Sequence, residues 1–330
     1  MKKLVVFLVA ICLMLTGCGQ NKTATTKKTK KLKKVTVVLD WTPNTNHTGL
    51  FVAKDKGYFK EQGLDVDIIS PGETGADQLV ASGKADFGVS YQESITQARV
   101  QNVPIVSIAA IIQHNTSGFA SPVKKEIKSP KDFVGKTYGG WGSPVEKAIL
   151  KSLMSEENAN VNKLNIVNMG DADFFTAVKR DIDFAWIYQG WTGIEAELRG
   201  EKLNMIYLTD YSKKLDYYTP VLATNEKMIS KNPKIVKAFV AAASKGYNFA
   251  IDNPKEAASI LIKDNPDLDK KLVEKSQEWL ASKYKDDADR WGEQKLSVWK
   301  NYADFLAENK LLEGNFKPKE AFTNEFLPAK

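Results

Sequence analysis

The chain has 330 residues, 43% hydrophobic and 26% charged, a globular composition with length for two domains. Its formal charge is +7, but nine lysines and no acids fall in residues 1–34, which leaves −2 for residues 35–330. A mildly acidic body has no basic stripe for nucleic acid, and both cysteines, Cys12 and Cys18, precede it, so residues 35–330 hold no disulfide, cysteine nucleophile or thiolate metal site.

Residues 1–17 read as a secretion signal: a Met1-Lys2-Lys3 head, then an apolar run over residues 4–13 that is too short to span a bilayer. The ending Leu15-Thr16-Gly17-Cys18 resembles a bacterial lipobox, which implies lipidation at Cys18; an ordinary cleaved signal is the alternative. The Lys/Thr-rich residues 18–34 are expected to form a disordered tether able to lean on anionic headgroups.

The fold begins with a β-prone run at residues 35–39, a polar turn over residues 40–47, an apolar helical pattern around Leu50 and Phe51, and a second strand at residues 65–69. Thr74 with Asp77 suggests a capping box for the next helix, and residues 85–89 form a short strand tipped by Ser90 and Tyr91. A helix to about Gln101 and a strand over residues 103–112 follow. The plan then repeats: a strand over residues 133–138 enters Gly139-Gly140-Trp141-Gly142-Ser143-Pro144, where Ser143, Pro144 and Glu146 mark a helix start. Strands at residues 164–167 and 183–188, with helices between and after, complete this half; residues 221–224 return as a strand, and the rest is helical. Strands alternating with helices specify α/β lobes with mostly parallel sheets. The expected division is residues 35–120 with 221–330 as lobe 1 and residues 121–220 as lobe 2, joined by crossings near residues 117–122 and 219–221; one large doubly wound sheet is the alternative.

Catalytic patterns are absent. His47 and His114 are isolated, fitting solvent-facing or structurally bonded rings better than metal ligands, and the glycine-rich turn matches neither a phosphate loop nor a dinucleotide fingerprint. The aromatic residues Trp41, Tyr91, Trp141, Tyr188 and Trp191 instead cluster at strand ends, where open α/β sheets bind ligands; Trp186, inside its strand, reads as core. Such a rim suits a planar heterocycle, with Asp40, Asn44, His47, Gly140, Gly142 and Ser143 as polar or backbone neighbours. Glu195 lies on the helical face of Trp191 and could accept from an exocyclic amine; a solvated surface glutamate is the other reading.

As a set, the run from Asp40 to Gly49, Lys56-Gly57-Tyr58-Phe59, Gly83-Lys84-Ala85-Asp86-Phe87-Gly88, the Gly139–Pro144 turn and residues 183–195 resemble the solute-binding proteins of ABC importers for thiamine-pyrimidine precursors. The resemblance implies a two-lobed periplasmic-binding fold (type II-like), without enzymatic activity or cofactor, delivering an aminopyrimidine to a permease and its ATPase from a monomer held on the outer membrane face by lipid on Cys18. It also implies that Asp40, Trp41, Tyr91, Tyr188 or Trp191, and Glu195 line the pocket. Another planar solute such as thiamine or riboflavin stays open. A pyrimidine-making branch of the superfamily carries a cysteine-rich iron-binding segment, whereas residues 217–222 here contain no cysteine.

Overall fold

The computed structural model describes residues 31–170 and 172–329, so the signal and Cys18 lie outside the described residues. In chain order the strands are β1 (Lys33–Val38), β2 (Leu64–Ile69), β3 (Phe87–Ser90), β4 (Ile105–Ala110), β5 (Ser117–Pro122), β6 (Thr137–Gly140), β7 (Asn165–Asn168), β8 (Phe184–Tyr188), β9 (Leu203–Tyr207) and β10 (Val221–Asn225). They make two five-stranded sheets with the orders β2-β1-β3-β10-β4 and β7-β6-β8-β5-β9. In each sheet one strand, β10 or β5, runs against the other four. Each reversed strand is also the one by which the chain enters that sheet from the other lobe.

This arrangement corrects the first crossing. Residues 117–122 are not a connection but β5, an inner strand of the second sheet, so the chain crosses at residues 111–116 and the limit expected at residue 121 moves back. Gly118 in this strand is needed for close packing: a side chain there would come within 2.4 Å of the Ile206 carbonyl oxygen. Other boundaries move for local reasons. Residues 130–133 form a 3-10 turn closed by a Ser129/Asp132 capping box, which delays the strand to β6. Thr74 caps nothing, because the helix Ala76–Ala81 starts after Gly75 with no side-chain cap. The tether expected through residue 34 ends earlier, since Lys33 and Lys34 already pair with Leu64 and Asp65 in β1–β2.

The first sheet is covered by helices that include Thr48–Asp55 and the long Pro233–Asp252, with Phe87 and Phe239 stacked at 3.8 Å between ring centres. The second lobe packs Phe119, Phe133 and Phe184, the last two stacked at 4.2 Å. Burying such rings dominates core energetics. One C-terminal helix, Leu296–Glu308, belongs to both cores: Trp299 packs with Val38, Ile95 and Val221, whereas Tyr302, Phe305 and Leu306 pack with Phe119 and Phe184. Among the described residues no helix is long and apolar enough to cross a membrane.

Candidate functional site

The carboxyl ends of β1, β3, β6 and β8 converge on the junction of the two lobes. At the end of β1 the chain turns through residues 40–47. Asn44 closes this turn: its side chain accepts from the Asn46 N–H at 2.9 Å, and its own N–H donates to His47 Nδ1 at 3.1 Å. Because Nδ1 accepts, the His47 ring carries its proton on Nε2 and donates it to Asp40 Oδ1 at 2.6 Å. The Tyr91 hydroxyl, at the end of β3, donates to Asp40 Oδ2 at 2.5 Å. Burial pushes the Asp40 carboxyl up, but His47, Tyr91 and the local backbone outweigh it and hold the group below the usual aspartate range. From behind, the Tyr247 hydroxyl donates to the Asn46 carbonyl at 2.8 Å, and the Thr45 hydroxyl meets that of Ser276 at 2.6 Å.

At the end of β6 the organising group is Glu146. Its Oε1 accepts from the Tyr138 hydroxyl at 2.6 Å, the Trp141 N–H reaches both oxygens at 3.1 and 3.2 Å, and the Ser143 N–H reaches Oε2 at 2.8 Å. Ser143 and Glu146 form the expected capping box on the helix Pro144–Glu156. Gly140 must be glycine, since a Cβ there would lie 2.2 Å from Glu146 Oε1. The turn is thereby fixed with the Trp141 indole 52% exposed.

Two chambers open between these ends. The first, of about 340 Å³, is bordered by Trp41, Gly140, Trp141, Trp186, Trp191 and Glu195. Glu195 pairs with Arg199, whose guanidinium lies over the Phe175 ring at 4.1 Å. The second, of about 680 Å³, is bordered by Tyr91, Ser143 and Tyr188 together with Asp77, Glu93, Tyr217 and Tyr302. Trp141 and Trp186 border both and form the wall between them, their rings 5.1 Å apart and tilted by 39°.

Of the predicted residues, Trp41, Gly140, Trp141, Trp191 and Glu195 meet at the first chamber, and Tyr91, Ser143 and Tyr188 at the second. Asp40 stands behind Trp41 and Tyr91 with 6% of its side chain accessible, and His47 is fully enclosed with both ring nitrogens engaged, so it bears on the site through Asp40. Asn44 and Gly142 border neither chamber; Asn44 serves its own turn, and Gly142 supplies a φ of +85° at the bend before Ser143.

Trp186 packs against the core as expected and also borders both chambers. Phe184, Trp186 and Tyr188 share one face of β8 and grade from buried to exposed toward the rim, so the tryptophan faces both the lobe's interior and the chambers. Sequence reasoning also passed over Glu93, Tyr217 and Tyr302. Glu93 lies only two residues beyond the rim residue Tyr91, a signal that was present, whereas nothing local marks Tyr302.

Residues 44–257, more than half of the chain, match the family described as NMT1/THI5 like. The formylaminopyrimidine-binding protein of Halalkalibacterium halodurans is 29% identical, with 98% of each chain covered. The 4-amino-5-hydroxymethyl-2-methylpyrimidine phosphate synthase of Legionella pneumophila is 24% identical, covering 89% of this chain and 92% of its own. The periplasmic aliphatic sulphonate binding protein SsuA from Escherichia coli superposes with a TM-score of 0.69 at 13% identity, over 87% of this chain and 91% of that one, a likeness of fold: two α/β lobes with a junction between them.

Proposed function

The chain belongs to the NMT1/THI5-like family, and we propose that it is the extracytoplasmic solute-binding lipoprotein of an ABC importer, capturing an aminopyrimidine of the thiamine pathway and passing it to a permease. Lipid on Cys18 would hold it, as a monomer, to the outer face of the membrane. The lobes, residues 33–116 with 221–330 and residues 117–220, would close by hinge bending at the crossings, a movement known for periplasmic binding proteins.

The observation that carries this reading is the first chamber. Its volume of about 340 Å³ lies at the small end of ligand pockets, and tryptophans from both lobes stand around it beside two carboxylates, Glu195 and Asp173, the latter engaged in capping the helix Phe174–Arg180. A 4-aminopyrimidine would place its faces against Trp41, Trp141 and Trp191 and its amino edge toward Glu195. Each stack contributes about 0.5–1.5 kcal/mol beyond area burial. A hydrogen bond to the charged carboxylate contributes about 1.5–3 kcal/mol.

Calorimetric titration with N-formyl-4-amino-5-aminomethyl-2-methylpyrimidine, hydroxymethylpyrimidine, thiamine and riboflavin tests it. Tight binding of a pyrimidine, weakened by Trp41→Ala and by Glu195→Ala, is the expected result; silence with both pyrimidines overturns the cargo assignment. The Legionella relative favours a second reading, a pyrimidine synthase. Against it stands the segment Tyr217–Leu222, which has no cysteine and whose two tyrosines are packed into the cores. Iron retained after purification, or turnover of an added substrate to a pyrimidine, would establish that reading instead.

A further inference from the structure

The second chamber, where Tyr91, Ser143 and Tyr188 meet, has a chemistry of its own that the first chamber does not use. Among the described residues, nine buried side-chain polar atoms lack a hydrogen-bond partner, and four of them belong to residues bordering this one space: Glu93 Oε2, Trp186 Nε1 and the hydroxyls of Tyr217 and Tyr302. Buried polar atoms without partners are few in native proteins, and four gathered at one cavity is a pattern that a ligand explains. The tyrosines come from the second crossing and from the helix Leu296–Glu308, Trp186 from β8 and Glu93 from the first turn of the helix Gln92–Val100, so the set is assembled only by the folded junction.

No lysine or arginine borders the chamber; its charged groups are Glu93 and Asp77. Burial pushes the Glu93 carboxyl up to about 7, and the nearby Asp77 adds to this, while the Tyr217 hydroxyl draws it down without closing a full hydrogen bond. Tyr217 and Tyr302 are likewise raised by burial and by the proximity of Glu93, so they stay protonated as donors. A carboxyl that can hold or release its proton near neutrality matches an edge bearing a donor beside an acceptor. The phenols and the indole N–H supply further donors, and aromatic rings supply the walls.

We propose that this chamber is a second binding subsite, for a planar nitrogen base whose amino group beside a ring nitrogen or carbonyl pairs with Glu93, and that the Trp141–Trp186 wall separates it from the first. The ligand donates its amino N–H to the Glu93 carboxyl and accepts from the indole and phenol donors. Ser94, half-buried on the same border, offers a way to fill the space without touching the carboxyl.

The test is calorimetric titration of the full-length protein with 4-amino-2-methylpyrimidine, comparing the unmodified chain with Glu93→Met, Ser94→Phe and Glu195→Ala, each first checked for an unchanged unfolding midpoint. Glu93→Met keeps the length of the side chain and removes its acceptor oxygens, and Ser94→Phe stands in for it if that variant fails to fold. The expected result is a binding event weakened at least tenfold by Glu93→Met and by Ser94→Phe but untouched by Glu195→Ala. Such an event supports the subsite even where a Glu195-dependent event is missing, in which case only the first-chamber assignment fails. Binding that responds to Glu195→Ala alone, or no binding up to millimolar probe, overturns the proposal.

Discussion

The two lobes solve the same problem in opposite ways. Each has to hold a loop at the end of its first parallel strand, β1 or β6, and each uses a buried carboxylate to do it. In the second lobe Glu146 is saturated by two backbone N–H groups and the Tyr138 hydroxyl, so it grips the main chain and leaves Trp141 as the projecting element. In the first lobe Asp40 joins two side chains, His47 and Tyr91, with only its own local backbone beside them, and the rest of its turn is fixed separately by Asn44, Tyr247 and Tyr284. The second lobe thus has a rigid turn built from its own residues, whereas the first has a side-chain network linking β1 to β3. The difference teaches that a carboxylate at a strand end is not in itself a ligand group; what it accepts decides whether it shapes the backbone or couples neighbouring elements.

Substitutions can break that contrast. The largest effect is expected for Glu146→Ala, which strands two backbone donors and a phenol and should cost about 3 kcal/mol in urea unfolding. Glu146→Gln, which keeps an acceptor oxygen, should recover part of that loss. Asp40→Asn should cost about 1.5–3 kcal/mol, the range for a hydrogen bond to a charged group. Because the folded Asp40 is held below its unfolded value of about 3.9, its contribution is present above that pH and is lost as the pH falls through the lower folded value. Unfolding midpoints measured from pH 6 down to 2 should therefore converge for wild type and Asp40→Asn at the acid end, and a constant gap would show that Asp40 is not ionised in its network.

Smaller effects sharpen the comparison. Trp41 and Trp141, one from each lobe, are 55% and 52% exposed, so replacing either by alanine should leave folding within about 0.5 kcal/mol. Pyrimidine affinity should fall by roughly two- to twelvefold for each, the equivalent of one aromatic stack. Loss in only one of the two variants would assign the stacking to a single lobe.

The smallest effect belongs to the crossings. His114 faces Asp216 through Nδ1 at 2.7 Å and Asp287 through Nε2 at 3.2 Å, tying the first crossing to the approach of the second. The bond to Asp216, supported by Asp287, raises its pKa to about 9. Against an unfolded value of about 6.5, the stabilisation is complete below that pH and is lost as the pH rises toward 9. With the ring 40% exposed, screening limits it to about 1 kcal/mol or less, read as a flattened stability profile between pH 6 and 9 in His114→Gln.

The readable parts of the fold were those whose rules are local. The Ser143-Pro144-Glu146 helix start and the strand–turn–helix around Asp40 depend on neighbours a few residues away, and the structure contains both. β5 was not readable because its small residues resemble a linker until Ile206 is seen packed against Gly118. Glu93 failed for the opposite reason: a glutamate in the first turn of a helix reads as solvated and helix-stabilising, and its burial depends on Tyr217 and Tyr302, which arrive from distant parts of the chain. Rim aromatics were found because strand ends can be located, but the division of the space into two chambers follows from how Trp141 and Trp186 lean together, which no spacing encodes.

The helix Leu296–Glu308 has a mechanical consequence. It roots Trp299 in one core and Tyr302, Phe305 and Leu306 in the other, and Lys214 clasps Glu308 at 2.5 and 2.6 Å from the second lobe. Two flexible strands alone would let the halves twist and shear as well as swing. A third point of attachment, stiff along its length, resists those freedoms, as a bracket does for a door, because sliding one core past the other would draw Trp299 or Tyr302 out of its packing.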